Sequence, residues 1–365
     1  MSKFESIFGN YASNLQIVID NNLSRFDPTW YSKYFTWSPV QSTLTFQSVI
    51  GRARIEAMAS IVNRDSRTPL RSRQALERLS GEIPAIKEMF PMAESDYREF
   101  LAMQALSVDE NVKLGQLLDF LFDDTKKVGN AAHKRLDSMA LEGLSTGYIS
   151  VTVANNPDGT ILTAPVPIGL PTANQANAAI SWASSSTATP IKDINEKKKF
   201  MKHKGIAIQK ILMSETLFNL FRQSKEVVDT LTAFYYGPKP GGSFNPVAVT
   251  SLDKINEFLS QERLPAIEIV DEVTGVEKDG IITPYTAFNE DNAVFIPGGN
   301  LGTIKNALAI EQLRPVGKVA YGSYNRALIS KWSENEPFGE WTKVELNAFP
   351  AIEAIDSVFI LNAVY

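Results

Sequence analysis

Between Asp109 and Leu144 apolar or small residues recur at Leu114, Leu118, Leu121, Thr125, Val128, Ala132, Leu136, Met139 and Gly143. Steps of three and four residues place them as one narrow stripe on a single helix face. Asp109 can cap the start, and Gly143 and Gly147 supply residues able to turn left-handed at the end. At 1.5 Å per residue the run predicts a helix about 50 Å long. The stripe is slim at Thr125, Gly129, Ala131 and Ala132, while the other faces carry Asp123, Asp124, Lys126, Lys127, Lys134 and Arg135. Such a helix lies along a sheet as a spine, its far side toward water or a neighbour. His133 and Asp137, one turn apart, read as a solvent-side pair.

Other segments follow shorter patterns. Residues 1–43 read as an arm, with an amphipathic helix over Ser6–Leu23 (Ile7, Tyr11, Leu15, Val18 and Ile19 on one side). An aromatic cluster follows: Phe26, Trp30, Tyr31, Tyr34, Phe35 and Trp37. It must be buried, either on the chain's own core or on a neighbouring chain, since aromatics dominate interface energetics. Residues 44–94 alternate as a β-ribbon: Leu44, Phe46 and AMASIV at 57–62 are strand-like, with a turn near Asp65 to Pro69. A helix over Glu94–Leu106 leads into the spine. GYISVTVANNPDGTILTAPVP predicts a hairpin turning at Asn156–Gly159. PIKDINEKKKFMKHK reads as a helix with a wet lysine face or a phosphate contact. From Gly205 the pattern alternates between strand and helix: IAIQKILMS, then ETLFNLFRQSKEVVDTL as one helix, VAVTSLDKINEFL, PAIEIVDEV and DNAVFIPGGNLG. The tail adds strands at Trp341–Asn347 and Ser357–Ala363.

Composition narrows the classes of function. The 365 residues fit two or three domains, and 44% apolar residues suffice for a core. A net charge of -5 argues against a surface that coats nucleic acid generally. Zero cysteines exclude disulfides and thiolate chemistry and fit an intracellular origin. Two histidines leave little for metal or acid–base work. No apolar run approaches the ~20 residues of a bilayer span and the first residues carry no signal pattern, so a soluble product made in the cytoplasm is expected.

No constellation points to catalysis, a cofactor or a metal. Pro297, Gly298, Gly299 and Asn300 open the PGGNLG loop, which lacks GxGxxG spacing and a following Lys-Ser/Thr; a tight turn near a symmetry axis or interface is the expectation. Asp123 and Asp124 point about 100° apart on a helix and cannot share a proton. No serine stands in G-x-S-x-G. What does stand out is arginine in the ribbon: Arg52, Arg54, Arg64, Arg67, Arg71, Arg73 and Arg78. Arginine favours forked pairing with carboxylates or phosphates. Residues 251–291, rich in Asp and Glu, are a candidate acidic counterpart, with a solvated charged hairpin as the simpler reading.

The order of parts resembles the tailed-phage major capsid proteins of HK97-type fold, and within them the E-type, lambda-like branch. The likeness is carried by SDYREFLAMQAL before the long helix, Trp182 followed by Pro190-Ile191-Lys192-Asp193-Ile194, LPAIEIVDE at 264–272, AVFIPGGNLGTI at 293–304 and AFPAIEAIDSVFILNAV at 348–364. The first 43 residues and the lysines at 197–204 match no pattern of that kind. The resemblance implies an α+β fold with a spine helix, a β-ribbon E-loop, a peripheral sheet and an α/β A-domain. It places the arm at 1–43, the E-loop at 44–94, the P-domain at 95–204 and 321–349, and the A-domain at 205–320 and 350–365.

It also implies a structural, non-enzymatic subunit without cofactors, which self-assembles as hexamers and pentamers into an icosahedral head around double-stranded DNA. The ribbon arginines would then be a subunit interface, Pro297–Asn300 an axial loop, and Trp30, Tyr31, Tyr34, Phe35 and Trp37 an arm interface. A separate scaffolding protein is expected, since no long coiled-coil leader precedes the arm; a portal and a decoration protein are further expected partners. The virion, assembled in the host cytoplasm, is the expected location. An encapsulin-type cargo compartment and a phosphate-ligand-binding α/β enzyme are the competing readings.

Overall fold

The computed structural model describes residues 15–50, 77–92, 94–105, 110–237, 250–336 and 338–365. The AMASIV strand, the turn at Asp65–Pro69, the Asp109 cap, the first half of the Ser6–Leu23 helix and the strand at 247–249 lie outside them. The chain forms two compact units: residues 1–46, 80–137 and 303–350 in one, 47–79, 138–302 and 351–365 in the other. This division differs from the domain bounds read from sequence, because residues 138–204 cluster with the late α/β region.

The spine runs from Glu110 to Thr146, 37 residues or about 55 Å of helix. Thr125, Val128, Ala132 and Leu136 are fully buried, as the period requires. Gly147, at φ +86, ends the helix, whereas Gly143 remains helical.

In the first unit the spine, up to Asp137, accompanies a six-stranded sheet. In spatial order its strands are Phe35–Trp37, Gly302–Ala307, Phe338–Ala351, Ala327–Asn335 and Ala320–Tyr324, with Ala85–Met92 also on the long central strand. That strand is 14 residues long, twice the length read from its sequence. It pairs with Ala85–Met92 so that Glu345 lies opposite Lys87, and their side chains meet at 3.0 Å. Opposite charges directly across a ladder support its register. The helix Leu15–Asn21 buries Leu15 and Ile19 beside Gly322, where any side chain would meet them.

In the second unit a five-stranded mixed sheet is ordered Gln175–Asn177, Phe359–Asn362, Asn292–Ile296, Lys210–Met213 and Ala266–Ile269. Its core joins strand residues Ile211, Met213, Phe295, Phe359 and Leu361 to helix residues Ile194, Met201, Leu217, Phe221, Leu231, Ile255 and Leu259. The helices are Pro190–His203, Glu215–Gln223, Lys225–Tyr236 and Leu252–Gln261.

Two expectations need correction here. ETLFNLFRQSKEVVDTL is two helices, because Ser224 turns extended (φ -65, ψ 141) and its buried hydroxyl donates to the Phe221 carbonyl. The break turns Val227, and not Val228, fully inward. The predicted hairpin after the spine pairs only Tyr148–Ile149 with Val166–Pro167. The residues between form loops held locally, with the Asn155 side chain accepting from Thr152 N and donating to Ser150 O. Side-chain bonds of this kind compete with a ladder and win here.

Candidate functional site

The arm aromatics belong to the first unit's own core. Trp30, Tyr31, Tyr34 and Phe35 are between 1% and 5% exposed within the single chain, and Trp37 is half-buried. The assignment of Trp30, Tyr31, Tyr34 and Phe35 as a subunit contact is therefore corrected, since these four side chains have no surface left to offer; the half-buried Trp37 keeps part of its surface. Phe26 stacks on Tyr324 at 3.7 Å between ring centroids and meets Phe122 of the spine edge-on. Gly129 makes room for this, since a Cβ there would come within 2.7 Å of the Phe26 ring.

His133 and Asp137 are also buried, not solvent-side. Asp137 accepts from Tyr31 N at 2.6 Å, His133 Nδ1 lies 2.9 Å from the Tyr31 hydroxyl, and Asn325 donates to the same hydroxyl at 2.8 Å. Burial lowers the His133 pKa to about 4 and raises that of Tyr31. The two residues thus form a neutral pair locking arm, spine and sheet together. In the same unit Lys331 is buried on its strand, its pKa lowered by burial to about 8 against the opposing pull of Asp124 and Glu340. Nothing in the spacing of these residues signalled the network; only the packing of arm on spine assembles it.

Arg52, Arg54, Arg64, Arg67, Arg71 and Arg73 lie outside the described residues, and Arg78 falls in the strand Glu77–Glu82, which pairs with Thr45–Ile50. The ribbon expected from sequence is thus present at its base. In the acidic stretch, Glu268 pairs with Lys210 at 2.7 Å, and Asp271, Glu272, Glu277 and Asp279 are exposed. Val273–Lys278 and Ile281–Thr286 form a two-stranded hairpin with Ile281 and Ile282 exposed.

PGGNLG is a tight turn. Gly298 and Gly299 are left-handed at φ +75 and +70, and Asn300 Oδ1 accepts from Gly302 N at 3.2 Å. Gly299 and Asn300 are exposed while Leu301 is fully buried. A Cβ on Gly302 would fall 2.1 Å from the Ala351 carbonyl. The glycines therefore serve turning and close backbone approach. Among the described residues no group of three or more His, Asp or Glu is placed to hold a metal, and no helix is long and apolar enough to cross a membrane.

Trp182 and the PIKDI segment form one buried unit: Trp182 Nε1 donates to Asp193 Oδ2 at 3.0 Å and Trp182 N donates to Ala363 O at 2.8 Å. Both side chains are at most 1% exposed.

Compared with known proteins, residues 21–363 match the family described as phage major capsid protein E. Among curated proteins none matches the sequence significantly. The fold is similar to that of the putative capsid protein of a prophage of E. coli CFT073 (TM-score 0.56, 13% identity, covering 98% of this chain and 97% of that one). It is similar also to a phage-related protein of Bordetella bronchiseptica RB50 (TM-score 0.53, 8% identity, 96% and 97% covered). The fold class is the mixed α and β HK97-like capsid fold.

Proposed function

The chain belongs to the phage major capsid protein E family, and on that premise we propose that it assembles as hexamers and pentamers into an icosahedral head enclosing double-stranded DNA. It is a structural capsid protein. The observation that carries the reading is the family match over nearly the whole chain, 21–363. The physical features agree with it. Within 44–94, Ala85–Met92 joins the first unit's sheet, whereas Thr45–Ile50 and Glu77–Glu82 form only a two-stranded pair; an isolated pair is marginal in water, so it gains stability from a surface it lies on. That surface is a neighbouring subunit, and the ribbon arginines meet carboxylates there. The turn at Pro297–Asn300 lies near a capsomer axis, as its exposed tip allows.

Assembly proceeds in the host cytoplasm with a separate scaffolding protein and a portal, and a decoration protein completes the surface. The net charge of -5 keeps the shell from adhering tightly to packed DNA over its whole area. Electron microscopy of the purified, expressed chain tests the proposal. Closed particles of uniform size are expected. A monodisperse monomer at every concentration and in the presence of scaffold overturns it.

A further inference from the structure

The helix Pro190–His203 and the following Lys204 concentrate positive charge in an acidic chain: Lys192, Lys197, Lys198, Lys199, Lys202 and Lys204. Its two acids do little to offset this. Asp193 is buried and taken up by the Trp182 indole, leaving Glu196 as the exposed one. Some of the lysines serve the fold. Lys198 donates to the Arg263 carbonyl, Lys204 to Asn174 Oδ1 at 2.6 Å, and Lys197 lies over the Phe359 ring. Lys192 sits in the field of Glu226.

Lys199 and Lys202 are exposed and enter no ion pair among the described residues; exposed His203 stands beside them. Cations in a last helical turn complement the helix dipole, which accounts for Lys202 and His203. It does not account for Lys199, a turn further in, or for the run before it.

From this patch we infer that the exposed Lys199–Lys202–His203 face is a docking surface for the phosphodiester backbone of double-stranded DNA. The inference rests on the capsid reading and assigns this helix face to the side of the shell that meets packed DNA. Residue type bears on the partner. No arginine occurs between Arg135 and Arg222. Arginine's planar fork fixes one bidentate geometry on a carboxylate or a phosphate, whereas lysine is a compact point charge that meets a phosphate from many directions. A lysine face therefore fits a repeated, sequence-independent phosphate array, in which no single geometry recurs. The contact is local and weak, matching a shell that must hold DNA without being glued to it.

The test uses the full-length chain before assembly and a random-sequence duplex of about thirty base pairs, read by fluorescence anisotropy across salt. Wild type is expected to bind with a marked salt dependence. Lys199→Gln with Lys202→Gln should weaken binding at least tenfold at low salt. It should also make the slope of log affinity against log salt shallower by about 2, since each phosphate contact contributes roughly 0.9. Lys278→Gln, on the acidic hairpin, should change neither, and the double variant should still form particles by microscopy. The inference is overturned if wild type does not bind the duplex, or if the double variant keeps wild-type affinity and slope. It is equally overturned if that variant loses particles but keeps its DNA slope, which would make the patch a subunit contact. Absence of particles from the wild type itself would instead count against the capsid reading and leave the binding measurement standing.

Discussion

His133 is the residue whose chemistry depends most on where the chain folds. Its imidazole is 2% exposed and held neutral, with Tyr31, Tyr324 and Trp37 around it. The folded pKa of about 4 lies below the ordinary 6.5. Above pH 6.5 both folded and unfolded chains carry a neutral ring and no penalty arises. As pH falls from 6.5 toward 4 the unfolded chain binds a proton that the folded chain refuses, so stability is lost across that window, by up to about 3 kcal/mol. His133→Phe keeps an aromatic ring in place and removes the titration. Its melting temperature should start lower, for want of the Tyr31 hydrogen bond, and then fall less than wild type between pH 6.5 and 4. Thermal unfolding followed by circular dichroism checks this; parallel curves would place the acid sensitivity elsewhere.

At the scale of elements, small residues decide where chain segments approach. Gly302 opens its strand with a position that leaves no room for a Cβ, since the obstacle 2.1 Å away is the backbone carbonyl of Ala351. Backbone cannot rotate aside as a side chain can. Gly302→Ala should therefore cost on the order of 3 kcal/mol, at the upper end of overpacking effects, seen as a lower midpoint in urea. Gly299→Ala is the comparison: nothing lies within 4 Å of its Cβ, so its cost comes from a left-handed φ of +70 alone. That should be about 1 kcal/mol. Equal midpoints for the two variants would refute the close-approach argument.

At the scale of the whole molecule the proposed subunit grip of the ribbon arginines is open to a direct test. Reversing Arg64, Arg67, Arg71 and Arg73 to Glu should block particle formation while leaving the monomer's circular dichroism unchanged. Particles of normal size from the reversed chain would show that charge does not drive the ribbon's grip. Arg52, Arg54 and Arg78, closer in sequence to the paired strands Thr45–Ile50 and Glu77–Glu82, should matter less than the other four.

Much of this molecule could be read from its residues alone, because periodicity and turn chemistry are local. The spine, the helix at Glu94–Ala105, the lysine helix, the strand entering PGGNLG and the late α/β alternation follow from spacings of two and 3.6 and from glycines able to turn. Three things could not be read so. Whether Tyr31 faces its own core or a neighbour depends on the opposite side of the contact, Asp137, His133 and Asn325, which lie about a hundred to three hundred residues away. The break at Ser224 depends on a hydroxyl choosing the Phe221 carbonyl over helix continuation. The burial of Asp193, which leaves Glu196 as the exposed acid of the lysine helix, depends on Trp182 arriving beside it. Local pattern sets the elements, since each is stabilised by its nearest neighbours in sequence; tertiary packing sets which faces remain available, since burial is a property of pairs that sequence separation conceals.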